Sequence, residues 1–272
     1  MIKMNYIKYL ESKDGTKLYT KVNEVKESKA NIIIAHGLAE HLDRYDELVA
    51  FLNEHHYNVV RFDQRGHGRS EGKRVFYSHV DEIIDDLDRI INYTKENYSG
   101  RVFLIGHSMG GYAVTLFGTK YPNKVDGIIT SGALTRYNKS TFGEPDKNIS
   151  ADTYVKNELE DGVCSDEEII QKYRDDDLVA KEISIGLIFT LMDGIAYLKE
   201  HPSHFIDPVL ILHGKEDGLV SYKDSIDLYN EIASKKKSLY IYENLQHEIF
   251  NESSYNQSIF RDIIDWLDSK NR

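Results

Sequence analysis

Runs of consecutive apolar, largely β-branched residues recur along this chain with helical patterns between them, and that alternation constrains the fold most. Asn31-Ile32-Ile33-Ile34-Ala35, Val59-Val60-Arg61-Phe62, Val102-Phe103-Leu104-Ile105, Gly127 to Ser131, Val209 to Leu212 and Leu239 to Tyr242 read as strands. Tyr45 to His55, Val80 to Tyr98, Met109 to Tyr121, Tyr222 to Ala233 and Tyr255 to Leu267 carry helical spacing between or after them. Continuous apolar strands separated by helices imply a mostly parallel sheet covered on both faces. Ile7 to Leu10 and Lys17 to Val22 add an N-terminal hairpin. The fold class is α/β. A chain of 272 residues with 40% hydrophobic content fits one domain with an insertion better than two domains.

One interval breaks the pattern. From Leu134 to Ile206 the strand signal disappears into polar helical segments and an apolar patch, Ile183 to Met192. Residues 134–206 are therefore expected to form a helical cap between the sixth and seventh strands. Residues 1–133 and 207–272 then form the core, and the cap folds over the C-terminal edge of the sheet, where open α/β sheets bind ligands. Leu187, Ile188, Leu191 and Met192 are the candidate substrate-binding residues, although packing of the cap on the core explains the patch equally well. Tyr137, Phe142 and Tyr154 have the same two explanations.

Composition excludes several classes of partner. A formal net charge of -11 disfavours nucleic acid and an anionic membrane surface. Lys235-Lys236-Lys237 and Asp175-Asp176-Asp177 read as solvated surface. The single cysteine, Cys164, permits no internal disulfide, and no Cys/His cluster has zinc-ligand spacing. No apolar stretch approaches a membrane span, so no integral membrane association is expected. Met1 to Leu10 lacks a secretory signal pattern, so the expected location is cytoplasmic.

The chemistry is concentrated at Gly106-His107-Ser108-Met109-Gly110, a Gly-x-Ser-x-Gly pentapeptide between the strand ending at Ile105 and the helix opening at Met109. A serine hydroxyl is a poor nucleophile unless a sharp turn holds it out beside a base and amide donors. The turn strains the serine backbone and crowds its neighbours, which suits flanking glycines. Ser108 is the candidate nucleophile.

A nucleophilic serine needs a histidine to take its proton and a carboxylate to orient that histidine. With this elbow in a parallel sheet, the chain order is serine, acid, histidine. Asp217 lies in the loop after the strand Val209 to Leu212, with Glu216 as its competitor. Of the eleven histidines only His247 follows Asp217, and it falls between the last strand and the last helix. The oxyanion then requires preorganised donors. The Met109 N–H at the head of its helix supplies one. The Leu38 N–H supplies the other, in the loop His36-Gly37-Leu38-Ala39-Glu40-His41 after the third strand. His36 and His41 are expected to brace that loop.

His36-Gly37-Leu38-Ala39-Glu40-His41-Leu42-Asp43-Arg44-Tyr45, Phe62-Asp63-Gln64-Arg65-Gly66-His67-Gly68-Arg69-Ser70 and Gly106 to Gly111 resemble segments of the α/β-hydrolase fold. Within that fold they are most similar to the monoacylglycerol lipase and lysophospholipase group. His213 to Asp217, His247 to Glu252 and Asp177-Leu178-Val179 resemble the same group. The resemblance implies a serine ester hydrolase acting through an acyl-enzyme on monoacylglycerols, lysophospholipids or similar small-molecule acyl esters, with no cofactor and no metal. Ala39 departs from the group, which usually has glycine there. The cap diverges most, so the substrate is less defined than the chemistry.

Rival readings remain open. An aryl (hydroxycinnamoyl) esterase is one. A serine aminopeptidase is another, with Glu158, Glu160 and Asp161 as binders of a free amino group. Haloalkane dehalogenases and epoxide hydrolases, which resemble this fold, are disfavoured because they place an aspartate at the elbow. A non-catalytic ligand-binding protein would usually have lost a triad member.

Overall fold

The computed structural model describes residues 3–144, 146–159 and 162–271. The chain opens with a hairpin, β1 (Lys3–Glu11) and β2 (Lys17–Val25), longer at its ends than the apolar pattern implied. It continues through β3 (Ala30–Ala35), a 3-10 turn at Leu42–Tyr45, α1 (Asp46–Glu54), β4 (Tyr57–Phe62) and α2 (Asp81–Asn97). Next come β5 (Val102–His107), α3 (Met109–Lys120) and β6 (Gly127–Ser131).

Eight strands form the main sheet in the order β1-β2-β4-β3-β5-β6, followed by β9 (Val209–Gly214) and β10 (Lys237–Tyr242). The β1–β2 and β2–β4 pairs are antiparallel, and all other pairs are parallel. Residues along β3, β4, β5, β6 and β9 are buried throughout, as expected for strands covered on both faces. Alternate residues feed two separate cores. Ile33 and Leu104 pack with α2 and α3 on one side, while Ile32, Ile34, Phe103 and Ile105 pack with α1 and α7 (Asn256–Lys270) on the other. In α2, Ile83, Ile84, Leu87, Ile90 and Ile91 form the buried stripe, and Asp81 and Glu82 sit in the first turn, where the helix dipole favours them.

The segment between β6 and β9 is not wholly helical. It holds α4 (Glu167–Asp175) and α5 (Ile185–Glu200), but also a two-stranded antiparallel ribbon of β7 (Tyr154–Lys156) and β8 (Glu182–Ser184). Strands of three residues leave no apolar pattern to read. The insertion does fall between the sixth and seventh strands of the main sheet.

The basic run is split by the fold. Lys235 and Lys236 are exposed, whereas Lys237 opens β10. Its Nζ donates to the carbonyls of Tyr229 and Ile232 at 2.6 and 3.0 Å, closing the C-terminal end of α6 (Tyr222–Glu231). The acidic run is split likewise. Asp175 and Asp177 are exposed, but half-buried Asp176 accepts His41 Nε2–H at 2.7 Å and ties the insertion to the core.

Candidate active site

β5 ends in the elbow. Ser108 has φ +53 and ψ −116, a backbone conformation that costs a non-glycine residue of order 1–3 kcal/mol. Close packing leaves no room for side chains beside it. A methyl on Gly106 would stand 2.3 Å from the Gly110 carbonyl oxygen, and one on Gly110 would stand 2.1 Å from that of Ala35. Ser108 N–H donates to Ser131 O at 2.8 Å, which fixes the turn to β6.

Met109 opens α3, so its N–H has no carbonyl partner a turn earlier in the helix. The loop after β3 comes close beside it. A methyl on Gly37 would lie 2.8 Å from Glu40 Oε1 and 3.3 Å from Ser108 Cβ, so glycine suits the close packing of this loop on the elbow. His36 braces the loop: its Nδ1–H donates to Gly37 O at 2.7 Å, and its Nε2 accepts Gln64 N–H at 2.9 Å. Ala39 is buried at φ +64, in the left-handed region where glycine is at home.

Asp217 and His247 meet where the loops after β9 and β10 converge. His247 Nδ1 donates to Asp217 Oδ2 at 2.6 Å. The same oxygen lies 3.0 Å from His213 Nε2, and Oδ1 accepts Leu219 and Val220 N–H at 2.8 Å each. Burial opposes ionisation of Asp217, but His247 and His213 outweigh it and hold the carboxyl well below the usual range. Burial also opposes charge on His247, yet the Asp217 carboxylate raises the ring above its ordinary 6.5. His107 lies 4.6 Å from the His247 ring, centroid to centroid, and burial pushes it down to about 3, so it stays neutral. Glu216 is exposed.

Ser108, His247, Leu38 and Met109 line one cavity. Its apolar wall is formed by Leu134, Phe142, Leu159, Val163, Leu191, Leu219 and Val220. Of the four apolar residues expected there, Leu191 is present, while Leu187, Ile188 and Met192 pack into the core instead. The reason is that α5 is apolar around most of its circumference. It lies so close on α3 that a methyl on Gly194 would overlap the Tyr112 hydroxyl. Phe142 lines the cavity; Tyr137 and Tyr154 instead bond the carbonyls of Gly143 and Arg74. Glu158 is exposed, with Lys156 3.9 Å away, and Glu160 and Asp161 lie outside the described residues.

Sequence reasoning missed the polar end. Glu40 and Glu248 both line the cavity, and Arg44 bridges them, with Nε 2.8 Å from Glu40 Oε2 and Nη2 2.5 Å from Glu248 Oε2. Burial works against the Glu40 anion, but chiefly the Arg44 guanidinium brings its carboxyl down to about 2. Arg44 also lies 4.9 Å over the Tyr173 ring of the insertion. Glutamate following His247 was the only available signal, and nothing linked it to Arg44.

Sheet order, elbow and the place of the insertion define an α/β hydrolase. The family described as serine aminopeptidase, S33 (Hydrolase_4) matches residues 26–254, and the chain belongs to it. A monoacylglycerol lipase of Mycolicibacterium smegmatis is 27% identical over 253 residues, 87% of each chain. Phospholipase YtpA of Bacillus subtilis is 29% identical over 235 residues, covering 82% of this chain and 89% of the relative. The crystal structure of Paleococcus ferrophilus monoacylglycerol lipase superposes with a TM-score of 0.80 at 26% identity, over 99% of this chain and 100% of the other. The protein is accordingly a carboxylic-ester hydrolase of monoacylglycerol lipase-like type with a small-molecule substrate. No helix among the described residues is long and apolar enough to cross a membrane.

Proposed function

We propose that Ser108, His247 and Asp217 are a catalytic triad hydrolysing acyl esters of small alcohols, with monoacylglycerols and lysophospholipids as the leading substrates in a cytoplasmic setting. The observation that carries this reading is the 2.6 Å contact from His247 to Asp217 in a cavity whose wall includes the elbow serine. His247 Nε2 takes the Ser108 proton as Oγ bonds to the ester carbonyl carbon, and the carbonyl oxygen becomes an oxyanion held by Leu38 and Met109 N–H. Collapse breaks the bond to the alcohol, which leaves with the proton from His247. Water then repeats the attack, its proton passing to His247, and Ser108 recovers that proton as the acid departs. Asp217 keeps the proton-bearing nitrogen of the ring on its own side throughout. Residues 134–206 act as the cap over this reaction, and the apolar wall receives the acyl chain.

Ser108→Ala tests the reading. Hydrolysis of 1-butyryl glycerol and p-nitrophenyl butyrate should fall by roughly 10³-fold or more, and a fluorophosphonate should label only the parent protein. Unchanged turnover in the variant overturns the triad and leaves a non-catalytic or differently built site.

A second reading has its own support. Two carboxylates in the cavity wall, Glu40 and Glu248, are placed where a free amino group could be received, and the family description names an aminopeptidase. Faster hydrolysis of aminoacyl amides than of butyryl or feruloyl esters would establish it.

A further inference from the structure

The polar end of the cavity carries charge of one sign. Glu40 and Glu248 are the carboxylates in its wall, and no lysine or arginine among the described residues lines it with them. Arg44 stands behind, its side chain 8% exposed and bound to both. One cation between two carboxylates leaves a net negative charge.

The carboxylates differ in how fully they are satisfied. Glu40 Oε1 accepts Gly37 N–H at 2.5 Å and the Tyr45 hydroxyl at 2.6 Å, and Oε2 accepts Arg44. Glu248 concentrates its bonds on Oε2, which takes Arg44 and, at 2.8 Å, Asn251 Nδ2. Its Oε1 has no hydrogen-bond partner among the described residues, in a side chain only 5% exposed. A carboxylate oxygen left without a protein donor must take one from water or from a ligand. The cavity is where a donor can arrive.

We propose that Glu248 Oε1 receives a hydrogen bond from the non-acyl part of the substrate, and that the Glu40–Arg44–Glu248 cluster admits neutral polyol or cationic groups there while excluding phosphate. This rests on the ester-hydrolase reading above. The apolar wall of Leu134, Phe142, Leu191, Leu219 and Val220 suits the acyl chain, which leaves the acidic end for the alcohol. A phosphate within several ångströms of the cluster, at the effective dielectric of a protein site, is disfavoured on the order of 100-fold. Monoacylglycerols and cholinic esters then rank above lysophospholipids.

The experiment compares 1-butyryl glycerol, butyrylcholine and 1-butyryl glycerol 3-phosphate, which share one acyl group, with p-nitrophenyl butyrate as a reference. In the parent protein kcat/KM for the phosphate ester should be on the order of 100-fold below that of the glyceryl ester. Glu248→Gln should narrow the ratio about tenfold or more, and Glu248→Asp should keep most of it. Because the ratio is taken within each protein, a reduced folded fraction cancels. Phosphate ester turnover within about threefold of the glyceryl ester, or an unchanged ratio in Glu248→Gln, overturns the charge selection while ester hydrolysis stands. Failure to hydrolyse any of the esters overturns both.

Discussion

Asp217 Oδ2 meets His247 Nδ1 at 2.6 Å, the shortest of the contacts that engage both oxygens of this carboxylate. Two backbone amides and His213 hold the Asp217 carboxylate still, so His247 inherits both a fixed orientation and a nearby negative charge. The pH dependence follows from that pairing.

His247 must be neutral to accept the serine proton. Because Asp217 raises its pKa, the acid limb of kcat/KM should have its midpoint above 6.5. Asp217→Asn removes the charge that opposes burial, so the midpoint should move to lower pH while kcat falls by roughly 10³ to 10⁴. A pH–rate profile with the same midpoint in both proteins would assign the limb to another group.

Gly110→Ala places a methyl 2.1 Å from the Ala35 carbonyl oxygen, in backbone that cannot step aside without disturbing β3. Overpacking of this severity should cost at least about 3 kcal/mol. Urea denaturation should show it, together with loss of fluorophosphonate labelling; near-parent stability would mean that the elbow is looser than its geometry.

Ala39 presents opposing terms. Its left-handed backbone costs about 1–2 kcal/mol relative to glycine, while its buried methyl contributes about 0.8 kcal/mol. Ala39→Gly should therefore change stability by no more than about 1 kcal/mol, in the stabilising direction. Ala39→Val, with β-branching at positive φ and no space allotted, should lose about 2 kcal/mol or more. Thermal denaturation of the pair distinguishes strain from packing.

The α/β alternation and the pairing of Asp217 with His247 were legible because burial on both sheet faces demands continuous apolar strands, and a single histidine follows Asp217. The polar end of the cavity was not. Arg44 and Glu248 meet only because the loops after β3 and β10 converge, and local sequence carries no trace of that contact. The pocket role of α5 was half legible for a different reason. Leu187 and Leu191 stand one turn apart on α5 and both belong to the buried core, and the sequence cannot say that only Leu191 of the two also reaches the cavity. Asp176, similarly, looked like one of three solvated acids until His41 came within reach.

Away from the site, Asp207 is buried with Oδ1 accepting Asn123 N–H at 2.8 Å and Oδ2 unpartnered. Burial raises its carboxyl to about 6, above the 3.8 of an unfolded chain. The folded state thus binds the proton more tightly, and its stability falls as pH rises from about 4 through about 6. Asp207→Asn should stabilise the protein at pH 7–8 by roughly 1–3 kcal/mol and lose that advantage below about pH 4. Denaturation curves at pH 4 and pH 7.5 check both halves; equal effects at the two pH values would rule out a charge origin.

Ser108, Asp217 and His247 belong to the sheet and its loops, whereas Thr141, Phe142, Leu159, Val163, Tyr173 and Leu191 reach the cavity from the inserted segment. Inheritance can act on these two parts at different rates. The elbow tolerates almost no change, while the cavity wall can drift to a new acyl length with the reaction intact. For the same reason, a mutant library restricted to Phe142, Leu159, Val163 and Leu191 would explore new substrates without putting the catalyst at risk.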